Sequence, residues 1–388
     1  MKALRQYLDK IKPKFEPGSK LHAFQSIFDG LETFLYVPNI TSKVGTHIHD
    51  SIDSKRIMSM VVIAALPALL FGMYNVGYQN YAAAGHLADA SFFDLFFFGF
   101  LAVLPKVVVS YAVGLGIEFA WAQWKHEEIQ EGFLVTGILI PLIIPVSCPL
   151  WILVLAVAFS VVICKEIFGG TGMNIFNVAL CARAFLFFSY PSKMTGDTVW
   201  VASNSILGFG YDLPDGFTAA TPLGEIGVGA NVPYSLSDMI TGFIPGSIGE
   251  TSVIAIGIGA IILLWTGIAS WRTMGSVFGG GILMALLFKH LGMTSIDWYE
   301  HIVLGGFCFG AVFMATDPVT SARTHTGQWI YGFLIGAMAL IIRVMNPGYP
   351  EGMMLAILFA NMFAPLIDYY VVQANISKRM KRLTKNNK

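Results

Sequence analysis

Residues 93–122 read FDLFFFGFLAVLPKVVVSYAVGLGIEFAWA, an almost unbroken apolar run. A helix needs about 20 apolar residues to cross the hydrocarbon core of a bilayer. The run is longer than that, so it predicts either one strongly tilted helix or two short pieces separated at Pro105. In both cases this stretch belongs in a membrane, and it decides the class of fold.

The composition of the whole chain agrees with that class. Of its 388 residues, 55% are hydrophobic and only 12% are charged, and the mean hydropathy is +0.65. Soluble domains carry about 25% charged residues. The formal net charge is zero, so no basic field indicates a nucleic-acid partner. The four cysteines lie far apart without a CxxC pair, which is typical of small apolar residues in helices and not of a metal site.

Further apolar blocks predict ten membrane spans in all. The segments 132–147 and 174–190 are short for a full crossing, so we expect broken or re-entrant ends there. The ten spans are 57–75, 93–122, 132–147, 150–168, 174–190, 252–270, 274–291, 300–316, 327–345 and 351–372.

Basic residues predict how these spans are oriented. Of the 24 Lys and Arg, nine lie in residues 1–56 and six in 378–388, and such an excess marks the cytoplasmic side of membrane proteins. We therefore expect both termini in the cytoplasm, which an even number of spans allows. The long connection 191–251 contains one basic residue, Lys193, and is expected outside.

The spans and their connections divide the chain into five predicted regions. Within the first of these, residues 21–35 carry an apolar stripe at helical spacing, which predicts an amphipathic helix lying on a membrane, a partner or the protein's own cytoplasmic face. The regions are a cytoplasmic extension at 1–55, a five-helix membrane half at 56–190, an extracytoplasmic loop at 191–251, a second five-helix half at 252–373 and a basic cytoplasmic tail at 374–388.

The two membrane halves are predicted to be inverted repeats. Prolines interrupt span three between residues 141 and 149, and Thr316-Asp317-Pro318 ends span eight. A glycine-rich turn at 169–172 precedes span five, and Pro347-Gly348 precedes span ten. Although Gly and Pro are common in membrane helices, breaks at corresponding places indicate an inverted-repeat architecture with a site at the bilayer midplane.

Polar and ionisable residues within the spans are candidates for function, because burying them in a membrane is costly. For Arg183 we favour a buried ion pair. For Glu118 and Asp368, ion handling and an interfacial position in contact with water stay open. The carboxylate and amide oxygens of such residues suit Na⁺ as ligands. The full set is Glu118, Asn174, Asn177, Arg183, Asp317, Asn361 and Asp368.

The predicted outer loop contains DGFTAATPLG at 215–224. Small neighbours leave a threonine hydroxyl accessible there, which the acceptor of a bulky group requires. No dinucleotide or P-loop motif is present, because the glycine-rich turn at 169–172 follows an apolar helix and lacks the P-loop lysine.

Several runs resemble one family, the B subunits of the sodium-translocating NADH:quinone reductases. They are KEIFGGTGMNIFN at 165–177, RAFLFF at 183–188, FMATDPVT at 313–320, PEGMMLAILFAN at 350–361 and residues 368–376. The D subunit of the Rnf ferredoxin:NAD⁺ complex is similar in the loop at 215–224 and in the ATDP run at 315–318. It usually lacks a long N-terminal extension, so it is the alternative.

The resemblance implies two flavins. An FMN would be attached to Thr221 through a phosphoester, in a pattern that also contains Asp215, Thr218 and Ala220. Ala219 departs from the pattern, since glycine is common there. Riboflavin would lie in the membrane near Asn174 and Asn177, whose amides offer a donor and an acceptor to a flavin edge.

The resemblance also implies a quinone region and a sodium path. The quinone region would include Gly114, but Leu115 replaces the second glycine of the family's pair. Acidic residues that match the family's sodium residues are Glu118, Asp317 and Asp368.

As a whole, the resemblance implies one component of a six-subunit complex in the bacterial inner membrane, with a urea-transporter-like fold. Electrons would pass from FMN to riboflavin and then to ubiquinone or menaquinone, coupled to Na⁺ export. A flavin transferase would attach the FMN, and another subunit would oxidise the nicotinamide. The competing classes are a urea-channel-like transporter without a redox role and a structural scaffold.

Overall fold

The computed structural model describes residues 2–15, 19, 25, 28, 32, 36, 44–45, 54–125, 132–214, 217–227, 234–346 and 348–386. Over these residues the regular structure is helical, apart from one isolated bridge between Ile206 and Phe209. In this part of the chain six helices are long and apolar enough to cross a membrane, and three shorter apolar helices accompany them. The chain is therefore an all-α polytopic membrane protein, as its sequence predicts.

The principal helices are numbered in chain order. Three further short helices, Pro191–Met194, Pro222–Gly227 and Leu236–Thr241, belong to residues 191–251, which we call the outer segment. The numbered helices are α1 (Lys2–Ile11), α2 (Ser54–Ala83), α3 (Phe92–Lys125), α4 (Phe133–Leu142), α5 (Leu150–Cys164), α6 (Val178–Ser189), α7 (Val253–Trp265), α8 (Trp271–His290), α9 (Trp298–Val303), α10 (Phe307–Phe309), α11 (His325–Met345) and α12 (Met353–Asn386).

Helix α3 runs through Pro105 without a break, so the alternative of two short pieces is wrong. A proline removes one backbone hydrogen bond from a helix. Membrane helices tolerate this loss, because neighbouring groups satisfy the freed carbonyl. The run that decides the fold class is thus one long helix.

Helix α2 continues to Ala83, well past the predicted end of the first span at residue 75. Its extension carries Asn80, whose Nδ2 donates to the carbonyl oxygens of Ala202 at 2.8 Å and Tyr211 at 2.9 Å. The backbone N–H of Tyr211 donates back to Asn80 Oδ1 at 2.9 Å. Because its polar face is fully hydrogen-bonded, the extension can be buried at little cost, and it supports the outer segment.

The predicted span 300–316 is not one helix. It consists of α9, a break at residues 304–306, the short α10 and a π-helical turn at Gly310–Met314. Gly305 has a φ of +66°, a conformation that favours glycine. The carbonyls freed by the break are satisfied by Arg343, which donates to the oxygens of His301 and Leu304. The hydropathy pattern does not reveal this break, because residues 302–315 are all apolar.

The two spans predicted as short are indeed broken. Helix α4 ends at Leu142, and the irregular stretch after it pairs with the outer segment, where Gly249 N donates to Leu142 O at 2.7 Å. Helix α6 begins only at Val178, and Asn177 caps it by accepting from Leu180 N at 3.2 Å. The residues directly before Asn177 are therefore not part of the helix.

Close helix contacts hold the second half of the chain together. Helices α8 and α11 approach so closely that a Cβ on Gly336 would lie 2.0 Å from the carbonyl oxygen of Val277. Small residues permit such approach in membrane bundles, where dispersion contacts drive helix association. Helix α7 packs on α2, so the two predicted halves touch in the core. The repeat relation itself stays a prediction.

The ends of the chain are only partly described. Most of the predicted amphipathic stripe at 21–35 lies outside the described residues, although Phe28 and Glu32 are buried. At the other end, α12 extends the tenth span to Asn386, so the basic tail predicted at 374–388 continues the last membrane helix as far as the structure describes it.

Candidate functional site

Two cavities are lined by four of the residues singled out in the sequence, namely Asn174, Asn177, Asp317 and Thr221. We call the first the asparagine cavity, because both Asn174 and Asn177 line it, together with Lys165, Thr171 and Asp317. Its empty volume is ≈ 740 Å³. The remaining wall is largely apolar, which is the usual character of a ligand pocket.

Asn177 joins the loop before α6 to the segment after the π-helical turn. Its Nδ2 donates to Asp317 Oδ2 at 3.2 Å, while its Oδ1 caps α6. Asp317 also accepts from Val319 N and from Thr320 Oγ1, both at 3.0 Å. Three donors therefore fix this carboxylate at the edge of the asparagine cavity.

Asn174 shapes the loop in which it lies. Its Oδ1 accepts from Gly172 N at 3.3 Å, and its Nδ2 donates to Phe176 O at 3.0 Å. The side chain is buried, with 9% exposure. One amide hydrogen and the second lone pair of its oxygen stay available to a ligand.

The hydroxyl of Thr171 indicates which kind of ligand this cavity would suit. Its Oγ1 is buried and has no hydrogen-bond partner among the described residues. A buried hydroxyl without a partner costs about 1–3 kcal/mol, so a ligand with polar edge atoms would satisfy it. Apolar walls and a few convergent polar groups fit a flavin ring system.

Glu118 is buried in an ion pair, contrary to the interfacial alternative. It is 4% exposed and its Oε1 binds the ammonium of Lys165, which is 3% exposed. Its second oxygen, Oε2, has no hydrogen-bond partner in the described part of the chain. The sequence motifs do not single out Lys165 as a charge partner, although a lone carboxylate in an apolar helix requires a counter-charge.

Asp368 lies elsewhere and performs a different task. Its carboxylate accepts from Arg323 N at 2.7 Å, from Thr324 N at 3.0 Å and from Thr324 Oγ1 at 2.5 Å. These bonds hold the residues just before α11. Among the described residues no cluster of three or more acidic, His or Cys side chains could hold a metal ion. Glu118, Asp317 and Asp368 are thus three separate positions.

Gly114 is a packing position on α3. A Cβ there would lie 1.9 Å from the ring of Phe133, which fills the space beside the glycine. Any larger residue would displace that ring and with it the start of α4. This geometry explains the glycine without a quinone.

The second cavity, which we call the threonine cavity, has an empty volume of ≈ 1030 Å³ and is lined by Thr221. Thr221 is half-buried, and its Oγ1 accepts from Gly224 N at 3.1 Å. Ala220 is also half-buried, whereas Thr218 is exposed and does not line the cavity. Asp215 lies outside the described residues.

Arg183 forms the buried ion pair that we expected, and it has two partners. Its Nη1 lies 2.5 Å from Glu250 Oε1 and its Nη2 lies 2.5 Å from Glu351 Oε2. Both glutamates line the threonine cavity. The sequence pattern does not identify these partners, because each lies in a loop just before a helix.

The outer segment has a further internal contact near Asn80. Ser205 N donates to Asp212 Oδ1 at 2.7 Å. This hydrogen bond lowers the pKa of the exposed Asp212 carboxyl, because it stabilises the ionised form. The loop is therefore tied across seven residues at neutral pH.

Comparison with known proteins is consistent over nearly the full length. The chain is 46% identical to the B subunit of the Na⁺-translocating NADH-quinone reductase of Chromohalobacter salexigens, covering 98% of this chain and 96% of that protein. It is 45% identical to the B subunit from Ectopseudomonas mendocina and 43% identical to that from Klebsiella pneumoniae, each over 98% of this chain and 99% of the relative.

A family model gives the same assignment. The NQR2, RnfD, RnfE family model matches residues 41–377, which include both cavities and every candidate residue. Since the match spans most of the chain and the relatives are similar along their whole length, the chain belongs to the NQR2, RnfD, RnfE family.

Proposed function

We propose that this chain is the B-type membrane subunit of a sodium-translocating NADH:quinone reductase in a bacterial inner membrane. The observation that carries the proposal is the 42–46% identity to proteins of that name over 98% of the chain. That coverage includes most of the N-terminal extension, which favours this component over the Rnf-type alternative. Six helices of spanning length agree with a multi-pass location.

In this function the chain works as one part of a larger membrane complex. The complex oxidises NADH, which gives two electrons and one proton, and reduces a quinone, which takes two electrons and two protons. The second proton comes from water. Sodium ions are moved outward as the electrons pass, and both termini of the chain lie in the cytoplasm. We further propose a six-subunit complex.

Thr221 is the residue we assign to covalent FMN. Thr221 lines the threonine cavity, whereas Thr218 is exposed and does not line it. Asp215, Thr218 and Ala220 then serve recognition by a flavin transferase, and Thr221 alone forms the phosphoester. When bound, a flavin supplies one- and two-electron transfer that protein side chains lack.

The asparagine cavity is our site for riboflavin. Asn174, Asn177 and Thr171 would hold its polar edge, and the apolar wall would exclude water from the ring. Glu118, Asp317 and Asp368 are separate stations for Na⁺, and the neighbourhood of Gly114 is the quinone region. The five predicted regions of the chain keep the bounds given above.

The test uses bacterial membranes from a strain that lacks the gene for this chain. Expression of the chain together with its partner subunits should restore NADH:quinone reduction that rises with Na⁺. The control adds the partner subunits without this chain. Restoration of activity without any Na⁺ dependence, or no dependence on the chain, would contradict the proposal.

A further inference from the structure

Lys165 contacts both the asparagine cavity and Glu118. It follows α5 directly, it lines the asparagine cavity, and its ammonium binds Glu118 on α3. Glu118 does not itself line that cavity. Of the described residues in the cavity wall, only Lys165 and Asp317 carry a charge.

The two charged residues in the wall differ in the number of partners that they bind. Asp317 accepts three hydrogen bonds, so its negative charge is spread over fixed donors. Lys165 is 3% exposed and depends on one carboxylate, whose second oxygen has no hydrogen-bond partner among the described residues. A buried charge with so few partners interacts strongly with any charge added nearby, because the surroundings screen it little.

We propose that Lys165 is a positioning residue that couples the ionic state of Glu118 to the redox state of the flavin in the asparagine cavity. The inference rests on the proposed function, which assigns a flavin to that cavity. An ammonium beside the ring favours the redox state with more negative charge. Glu118 competes for the same ammonium, so the carboxylate weakens that preference.

The coupling acts in both directions, because linkage between two binding events is reciprocal. A cation bound to Glu118, such as Na⁺, neutralises the carboxylate. The positive charge of Lys165 then acts more strongly on the cavity. Conversely, negative charge in the cavity weakens the hold of Lys165 on Glu118 and opens that carboxylate to a cation. A purely structural ion pair, which only joins α3 to α5, would produce neither effect.

The experiment is a spectroelectrochemical titration of the purified complex. The flavin of the asparagine cavity is identified as the absorbance that Asn174→Leu removes. Its midpoint potential is then measured in wild type, Lys165→Met, Lys165→Arg and Glu118→Gln. Lys193→Met, which removes an exposed lysine of the outer segment, is the matched control.

Opposite shifts are the expected result. Lys165→Met should lower the midpoint, Glu118→Gln should raise it, and Lys165→Arg should stay near wild type. Each shift should correspond to at least a tenfold change in the relative affinity for reduced and oxidised flavin, about 30 mV for a two-electron couple. The control should not change.

Three results would overturn the inference. Unchanged midpoints, or shifts of the same sign in the Lys165→Met and Glu118→Gln complexes, would show that the pair is only structural. If the Lys165→Met complex does not assemble, the test rests on the midpoint potential of the Glu118→Gln complex. An unchanged midpoint potential in that complex rejects the coupling. If wild type contains no flavin that Asn174→Leu removes, the assigned occupant fails and the inference with it.

Discussion

Asn177 donates a hydrogen bond of 3.2 Å to Asp317, a residue 140 positions further along the chain. The sequence associates each of the two residues with a different functional feature, a flavin and a sodium path. Their contact at one cavity means that a change in the occupant would act directly on the carboxylate. The two proposed roles are therefore physically linked.

Removing the Asn177 side chain should separate its two tasks. Asn177→Leu loses the cap of α6 and the bond to Asp317, at a cost of about 0.5–2 kcal/mol in stability for the cap. Ser252→Ala is the matched control, because Ser252 caps α7 by accepting from Ala255 N at 3.3 Å and does not line the asparagine cavity. Both variants should lower the thermal midpoint similarly, but only Asn177→Leu should lose acid-extractable flavin. Equal flavin content would contradict the site.

Thr221 should carry the covalent flavin. Valine keeps the shape of threonine without its hydroxyl, so Thr221→Val should fold and yet abolish fluorescence of the chain on a denaturing gel. Thr218→Val is the control, because its hydroxyl is exposed outside the cavity. Fluorescence that persists in Thr221→Val would refute the assignment, whereas loss in both variants would make Thr218 part of the recognition sequence.

Arg183 pairs with two glutamates of the threonine cavity and should be very sensitive to substitution. Arg183→Met leaves the buried Glu250 and the partly buried Glu351 without their counter-charge, and breaking a buried pair in this way costs about 3–5 kcal/mol. Unfolding of the detergent-solubilised chain by heat would measure the loss. Lys289→Met, which removes the exposed pair with Asp297, should leave the unfolding temperature unchanged. Equal effects of the two variants would show that the arginine does not hold the cavity.

Charge at Asp368 should matter for sodium. Asp368→Asn removes the charge and keeps one oxygen acceptor, which can serve Arg323 or Thr324 but not both, because the N–H of Arg323 donates to Oδ2 and that of Thr324 to Oδ1. We expect the Na⁺ concentration for half-maximal quinone reduction to rise about tenfold, equivalent to about 1.4 kcal/mol, as also for Glu118→Ala. Unchanged Na⁺ dependence with normal flavin content would assign both residues a structural role.

The orientation of the chain is tested with inserted tags. A tag at the N-terminus should be accessible to protease only from the cytoplasm, and a tag near Asp197 in the outer segment only from outside. Both follow from the basic residues concentrated at the two ends of the sequence. An N-terminal tag protected from protease on the cytoplasmic side would reject the ten-span topology.

The sequence predicts the fold class well, because apolar runs of spanning length have few alternatives. It does not predict the break at residues 304–306, since a break in an apolar segment depends on a distant donor, here Arg343, that satisfies the freed carbonyls. The pairing of Glu118 with Lys165 escapes prediction for the same reason. A sequence shows that a buried charge needs a partner, but the partner is chosen by how the helices pack.

The candidate residues show a similar limit. The sequence motif names both Thr218 and Thr221, and only the fold distinguishes an exposed hydroxyl from one that lines a cavity. The resemblance also names three acids for sodium, and the structure adds that each of them has a different set of hydrogen-bond or ion-pair partners. A motif identifies the candidate residues, and the arrangement of the loops determines which of them lie in contact.

The bonds of Asn80 determine which substitutions the outer segment tolerates over evolution. Asn80 forms hydrogen bonds with the backbone of residues 202 and 211 and not with their side chains. These hydrogen bonds therefore do not depend on the side chains at residues 202 and 211, whereas few side chains can replace the amide of Asn80, which donates twice and accepts once. Among related proteins, variation should concentrate in the loop, and the asparagine on the supporting helix should persist.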